Sequence, residues 1–260
     1  MPRLVFGDDG SPSADVAWLW INEQRWPGWH LEMVTAVGAP DEAHHPTAAP
    51  PPSRRPFAEA GFVASARRLP EQDPRLALCT DGELLVIGER GPGVLKSLHL
   101  GSTAEWLAVR PPMPMVIARH GRPTRSVVLA TDGSVDAGEA TEALAGLPFA
   151  EHLTVTVAVV DDGRVTDVDA VLDAAATRLR AAGATAIPLV LRGSPTDELV
   201  GLAASSDADL VAFGTRGRSR LEHVRIGSTA RRIVHGGRFS VLVAHRRLDS
   251  ATPPLDGTTT

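Results

Sequence analysis

One pattern of glycine and serine occurs twice in this chain, and it constrains the fold more than any other feature. Its matching positions are all separated by 126 residues and are Gly88, Gly91, Gly101 and Ser102 in the first half and Gly214, Gly217, Gly227 and Ser228 in the second. A single set of spaced glycines would be weak evidence, but four matches at one displacement rarely arise by chance. The chain is therefore predicted to be a tandem repeat of one structural unit.

Further matches extend the repeat toward the start of each half. Asp9-Gly10-Ser11 returns 123 residues later as Asp132-Gly133-Ser134, and each copy follows a short apolar run. At the same displacement, Val37 aligns with Val160 at the end of a second apolar run. Both halves are thus predicted to begin with a strand, an Asp-Gly-Ser turn and a helix.

The ends of the two halves also match. The apolar runs 115–118 and 241–244 are again 126 residues apart, which indicates a closing strand in each half. The length of 260 residues allows two domains of ordinary size. The prediction is a first domain over residues 1–119, a second over 120–247, and a flexible C-terminal tail over 248–260.

Strand and helix patterns alternate in the second half and predict the fold class. Apolar runs at 154–160 and 186–191 alternate with helical periodicity at 135–147 and 168–182. Strand–helix–strand units of this kind form right-handed crossovers and a parallel sheet. The predicted class is α/β, with two tandem Rossmann-like domains, each a five-stranded parallel sheet flanked by helices.

The first half departs from this pattern in a Pro-rich loop at residues 39–56. Prolines at this density cannot occupy a helix interior, so an extended or disordered crossover is predicted there. Pro70 and Pro74 also weaken the helix that follows. The first domain is therefore expected to be the less regular and less stable one.

The repeated glycines have the spacing of a phosphate-binding loop. A strand that ends in a glycine-rich turn lets backbone N–H groups approach an anion. The N-termini of helices predicted at 102–109 and 228–235 add further N–H groups and the positive end of the helix dipole. In a parallel sheet, the Asp-Gly-Ser turns and the glycine loops meet at the carboxyl ends of the strands, where ligands bind.

Composition narrows the function classes. The formal net charge of −5 argues against nucleic-acid binding, which needs a basic surface. The single cysteine, Cys79, excludes an intramolecular disulfide, suits a reducing compartment and is interpreted as a small buried side chain. Neither a secretion signal nor a membrane span is recognisable in the sequence, so a cytoplasmic protein with no membrane partner is predicted.

Signatures of enzymes are scarce. The sequence has no Gly-x4-Gly-Lys-Ser/Thr motif and no Gly-x-Ser-x-Gly elbow, so no catalytic residue is assigned. His44 and His45 lie among prolines and are interpreted as solvated loop, so no metal-binding residue is assigned either. Any Mg²⁺ is expected to arrive with the phosphates of a nucleotide.

In each half, a strand, an Asp-Gly-Ser turn and a helix are followed later by Gly-x2-Gly-x9-Gly-Ser, a last helix and a last strand. This order resembles the universal stress protein family in a tandem two-domain form. The resemblance covers residues 3–119 and 125–245. It implies the fold of the adenine nucleotide alpha hydrolases, and both intact glycine motifs imply the ATP-binding subgroup. ATP binding at two sites, rather than fast chemistry, is the activity that the resemblance implies.

The resemblance also assigns roles to residues. Asp9 and Asp132 would contact the nucleoside end of ATP, the alternative being that they cap the following helices. Val37 and Val160 would line the adenine pocket, although a valine there would be core in any α/β domain. The phosphates would be held by the two glycine motifs, with the hydroxyl groups of Thr103 and Thr229 as further contacts. The residues of the motifs are Gly88, Gly91, Gly101 and Ser102 in one domain and Gly214, Gly217, Gly227 and Ser228 in the other.

The two glycine loops differ in charge. The second carries four arginines, which are Arg216, Arg218, Arg220 and Arg225, whereas the first has Glu89, Arg90 and Lys96. Positive charge favours a triphosphate, so tighter or more salt-sensitive binding is predicted in the second domain. The alternative is that these arginines are only solvated.

Three hypotheses of function follow. The first is an ATP-binding regulatory protein of the stress response that acts on an unknown protein partner. The second is a slow ATPase or nucleotidyl-transfer enzyme, and the third is a scaffold whose Pro-rich loop docks partners without nucleotide. Family members commonly dimerise through the last strand, which implies a homodimer or an internal pseudo-dimer between residues 115–119 and 241–245.

Overall fold

The computed structural model describes residues 1–37, 63–70, 73–91, 100–163, 165–217, 227–236 and 238–246. The Pro-rich loop predicted at 39–56 and the tail predicted at 248–260 lie outside these residues.

Each half of the chain contributes five strands and a set of helices. The first half contains β1 (Arg3–Gly7), α1 (Pro12–Glu23), β2 (His30–Val37), β3 (Val63–Pro70), α2 (Pro74–Ala77), β4 (Leu84–Gly88), α3 (Ser102–Val109) and β5 (Met115–Ala118). The second half contains β6 (Ser126–Ala130), α4 (Val135–Ala145), a 3₁₀ helix (Ala150–His152), β7 (Thr154–Val160), α5 (Val168–Ala181), β8 (Thr185–Leu191), α6 (Pro195–Ser205), β9 (Leu210–Gly214), α7 (Ser228–His235) and β10 (Ser240–Ala244).

All ten strands form one sheet in the order β3-β2-β1-β4-β5-β10-β9-β6-β7-β8. Among the described residues, pairing is parallel within each half, and one antiparallel pairing joins β5 to β10, with Val116 opposite Leu242. The closing strands therefore cover each other within the chain, as edge strands require. The pairing of these two strands within the chain agrees with the expected contact between residues 115–119 and 241–245.

Local sequence explains where the first helix of each half begins. Gly10 and Gly133 adopt φ values of 72° and 74°, a left-handed conformation that glycine enters without strain. Ser11 and Ser134 then cap α1 and α4, because their side chains accept the N–H groups of Ala14 and Ala137. The Asp-Gly-Ser turn is thus a turn followed by a helix cap, used twice.

Aromatic side chains join the two halves on one face of the sheet. Trp20 and Trp26 are fully buried, and their rings lie 6.4 and 5.3 Å from the ring of Phe149, which belongs to the second half. The indole Nε1–H of Trp20 donates to Thr124 Oγ1 at 3.0 Å. The halves share a continuous core, since residues of both belong to the same buried apolar clusters.

Most predicted elements are confirmed, and two points differ. Helices α3 and α7 have the predicted bounds, and α2 has only four residues, in keeping with Pro74 at its start. Five strands were predicted in the first half but β3 was not located in the sequence, and Cys79 is exposed rather than buried, with its Sγ donating to Arg75 O. Within the described ranges, no helix is long and apolar enough to cross a membrane.

Candidate functional site

A cavity of about 230 Å³ lies at the carboxyl ends of the strands of the second half. The Asp-Gly-Ser turn after β6, the end of β7, the glycine loop after β9 and the start of α7 all contribute to its wall. Every site residue predicted in this half lines it, namely Asp132, Val160, Gly214, Gly217, Gly227, Ser228 and Thr229. The structure therefore brings together residues that lie up to 97 positions apart.

Asp132 joins the first turn to the glycine loop. Its Oδ1 accepts the N–H of Ser134 at 2.9 Å, and a Cβ built on Gly217 would lie only 2.6 Å from its Oδ2. Since Ser134 is the residue that caps α4, the alternative interpretation of Asp132 as the helix cap is wrong. The same holds in the first half, where Ser11 caps α1 and Asp9 accepts the N–H of Ser11 at 2.9 Å.

Gly214 and Gly227 of the second loop are glycines for different physical reasons. A Cβ on Gly214 would lie 2.4 Å from the carbonyl carbon of Asp136 and 2.5 Å from the nitrogen of Ala137, so this glycine lets α4 pack against the end of β9. A Cβ on Gly227 would meet nothing closer than Thr215 O at 3.7 Å. The N–H of Gly227 donates to Thr215 O at 3.0 Å and closes the loop.

The N-terminus of α7 supplies the polar end of the cavity. Gly227 caps the helix without a side-chain hydrogen bond, and the first intrahelical bond runs from Arg231 N–H to Gly227 O. The N–H groups of the first turn precede that bond, at Ser228, Thr229 and Ala230, all of which line the cavity. Such N–H groups and the helix dipole make a site for an anion.

Much of the cavity wall is apolar. Apolar side chains line it, among them Ala158 and Val160 from β7, Val165, Leu199 and Phe213. A wall of this kind suits a flat, weakly polar group, whereas the start of α7 suits a charged one. The cavity is therefore complementary to a ligand that has both an apolar part and an anionic part.

A buried polar cluster beside the glycine loop was not predicted from the sequence. Asp136, Thr215 and His245 are each less than 9% exposed. Asp136 Oδ2 lies 2.7 Å from Thr215 Oγ1 and 2.8 Å from His245 Nδ1, so that both the hydroxyl and the ring N–H can donate to it. Backbone N–H groups of Arg216 and Arg246 also donate to the Asp136 carboxylate, each at 3.1 Å.

This cluster fixes the first residues of the glycine loop. Burial alone would raise the pKa of Asp136, but hydrogen bonds from His245, Thr215 and the Arg246 N–H outweigh it and lower the pKa from 3.8 to about 2. Because Arg216 donates its N–H to Asp136, that group holds the loop in place rather than facing a ligand. Asp136 and His245 are 109 positions apart in the sequence, so no local pattern reveals the cluster.

The first half repeats the geometry of the loop. Gly101 N–H donates to Glu89 O at 2.9 Å, Ser11 Oγ donates to Arg90 O at 3.0 Å, and a Cβ on Gly91 would lie 3.0 Å from Asp9 Oδ2. The predicted residues Gly88 and Val37 end β4 and β2, and Gly101, Ser102 and Thr103 form the start of α3. The side chain of Val37 lies outside the described residues.

The two halves differ in the side chains beside the loop. The positions that match Asp136, Thr215 and His245 hold Ser13, Glu89 and Arg119. Arg119 Nε donates to Glu89 Oε1 at 2.8 Å, and Arg90 pairs with the other oxygen of Glu89 at 2.9 Å. The glycine loop of the first half, loop one, thus carries a carboxylate where that of the second half, loop two, has a neutral threonine. The other charged loop residues, Lys96, Arg218, Arg220 and Arg225, lie outside the described residues.

Comparison with known proteins connects the second half to a family. The model of the universal stress protein family matches residues 123–245. A universal stress protein of Methanocaldococcus jannaschii is 37% identical over 57 residues, which make up 22% of this chain and 34% of that protein. The chain thus spans about a third of the length of the curated relative it matches.

Solved structures extend the likeness to nearly the whole chain. A universal stress protein from Archaeoglobus fulgidus superposes with a TM-score of 0.67 at 17% identity, covering 94% of this chain and 98% of that one. A functionally unknown protein from Pseudomonas aeruginosa gives a TM-score of 0.58 at 16% identity, covering 94% and 92%. At these identities the likeness shows a shared fold.

Proposed function

We propose that the cavity of the second half binds an adenine nucleotide, ATP in the first place, and that the protein is a nucleotide-dependent regulatory protein. One observation carries the proposal, which is that a single cavity joins an apolar wall at Val160 to the uncapped N-terminus of α7. A base and a triphosphate require these two environments at opposite ends of one site.

Each part of the nucleotide has suitable partners in the cavity wall. The adenine ring would lie against Val160 and its apolar neighbours, and Asp132 could accept a hydrogen bond from a ribose hydroxyl. The phosphates would be held by N–H groups at the start of α7 and by the hydroxyls of Ser228 and Thr229. Any Mg²⁺ would be carried by the phosphates, because no group of His, Cys, Asp and Glu in the described part of the chain could hold a metal ion by itself.

Replacing Gly227 by aspartate tests this site with little risk to the fold. Gly227 has φ −64° and ψ 150°, which any residue adopts, and aspartate is a favoured residue at a helix cap. The new carboxylate would cap α7 and repel the phosphates from the same N–H groups. We expect the affinity of the second site for ATP, measured by calorimetry, to fall roughly 100-fold while the melting temperature stays unchanged or rises.

The matched control is Gly201→Asp in α6, which makes the same charge change at an exposed glycine with nothing within 4 Å. This variant should bind ATP like the wild type. Nucleotide released from the purified protein by denaturation reports what the site holds, and mainly ADP would favour the slow ATPase. Equal ATP binding by Gly227→Asp and the wild type would overturn the proposed site.

The two halves are expected to bind ATP with different affinities. Ser102→Glu and Ser228→Glu each place a carboxylate at an exposed first position of a helix, so each variant leaves one site to measure. Because the second glycine loop carries Arg216, Arg218, Arg220 and Arg225 where the first has Arg90 and Lys96, we expect tighter binding at the second site, by roughly tenfold. Titrations at rising ionic strength should weaken the second site more, and equal affinities with equal salt dependence would contradict this.

A further inference from the structure

The side chain of Arg119 contacts both halves of the molecule. It follows β5, and only 4% of its side chain is exposed. Its Nε donates to Glu89 Oε1 at 2.8 Å, its Nη1 to Phe239 O at 3.2 Å, and its Nη2 to Val234 O. One buried guanidinium therefore connects a residue of loop one with the last turn of α7.

Glu89 ties this guanidinium to the first glycine loop. It directly follows Gly88, and its carbonyl oxygen accepts the N–H of Gly101, the residue that caps α3. Its carboxylate is shared between Arg119 and Arg90. Any displacement of loop one therefore moves a charged partner of Arg119, and a buried guanidinium cannot replace that partner with water.

Val234 ties the same guanidinium to the second cavity. It lies in the last turn of α7, an eight-residue helix whose other end lines the cavity with Ser228, Thr229 and Ala230. A helix of this length spans only about 12 Å and moves as one body. A cation at the C-terminal carbonyls also matches the helix dipole. Arg119 thus binds one end of the helix whose other end lines the cavity.

Within the part of the chain that the structure describes, the matching position of the second half makes no such link. The position that matches Arg119 holds His245, which contacts Asp136 and Thr215 of its own half. Among the described residues, the guanidinium of Arg119 is thus the charged side chain that joins a glycine loop of one half to the last helix of the other.

We propose that Arg119 is a positioning residue through which the glycine loop of the first half sets the affinity of the second cavity for its anionic ligand. This inference rests on the proposed function for its ligand, while the coupling of loop one to α7 exists without any ligand. Filling of the first site, by moving Glu89, would then change binding at the second.

The test is a double-mutant cycle of Glu89→Gln and Arg119→Met, read as ATP affinity of the second site in a Ser102→Glu background. We expect Arg119→Met to weaken binding about tenfold, Glu89→Gln to weaken it several-fold, and the double variant to match Arg119→Met alone. Arg122→Met is the control, since Arg122 is also an arginine close after β5 that pairs with a carboxylate, Asp209 at 3.4 Å, but among the described residues its side chain makes no hydrogen bond or ion pair with α7.

Amide hydrogen exchange of α7 in the ligand-free protein gives a second, independent result. Faster exchange in Arg119→Met and Glu89→Gln, but not in Arg122→Met, would support the coupling even if no nucleotide bound, in which case the proposed function alone would fail. Unchanged exchange and unchanged affinity in Glu89→Gln would overturn the coupling, even if Arg119→Met weakened binding. Glu89→Gln is isosteric and partly exposed, so the test survives if Arg119→Met does not fold.

Discussion

Replacing Gly214 by alanine is expected to destabilise the folded protein by about 3 kcal/mol. A Cβ at this position would lie 2.4 Å from the carbonyl carbon of Asp136 and 2.5 Å from the nitrogen of Ala137. Both are backbone atoms of the first turn of α4, so no rotation of a side chain can relieve the overlap. Urea denaturation followed by circular dichroism should show the midpoint moving to a lower urea concentration.

Two further alanine variants separate this packing effect from the general cost of losing a glycine. Gly88→Ala should cost a similar amount, because its Cβ would lie 2.5 Å from the carbonyl carbon of Ser13. Gly201→Ala should instead stabilise α6 by roughly 0.5–1 kcal/mol, since no heavy atom lies within 4 Å. A wild-type midpoint for Gly214→Ala would mean that α4 moves away from β9 at little cost.

Gly214 also shows where inference from the sequence stops. The repeated spacing correctly placed Gly214 beside the cavity, and the resemblance gave it a role in holding phosphates. Only the structure shows that its missing side chain makes room for a helix, because a sequence does not tell a glycine needed for packing from one needed for a ligand. Gly227, with free space around it, is the better position for testing phosphate binding.

Most of the fold could be predicted from the repeat and from short-range patterns in the sequence. Helices α3 and α7 were predicted to the residue because Gly-Ser marks their start in both copies. Strand β3 was not located in the sequence, because it is an edge strand whose Arg67 pairs with Glu32 of β2 rather than entering the core. A charged edge strand lacks the apolar run by which buried strands are recognised.

Long-range polar contacts could not be predicted from the sequence, for a different reason. Asp136 follows an exposed valine in the first turn of α4, where acidic residues are common whatever their partners. His245 directly follows β10, with no motif around it. Their contact depends on β9 and β10 being neighbours and on α4 packing across them, which is a property of the assembled sheet.

Replacing Asp136 by alanine is expected to cost about 3 kcal/mol of stability at neutral pH. The change would leave His245 Nδ1, the Thr215 hydroxyl and the N–H groups of Arg216 and Arg246 without their shared acceptor in a buried place. Ser13→Ala, at the matching position of the first half, should cost less than about 0.5 kcal/mol. A loss in Asp136→Ala as small as the one expected for Ser13→Ala would show that the Asp136 cluster adds nothing to stability.

The cost of losing the Asp136 charge should also depend on pH. Because the pKa of Asp136 is lowered from 3.8 to about 2 in the folded protein, its ionised form stabilises the fold above pH 4, and this contribution is lost as the pH falls toward 2. The difference in unfolding free energy between the wild type and Asp136→Asn should therefore shrink by about 2 kcal/mol between pH 6 and pH 2. A difference that stays constant over this range would mean that His245 and Thr215 stabilise the neutral carboxyl as well as the charged one, and that the cluster holds the glycine loop through geometry rather than through charge.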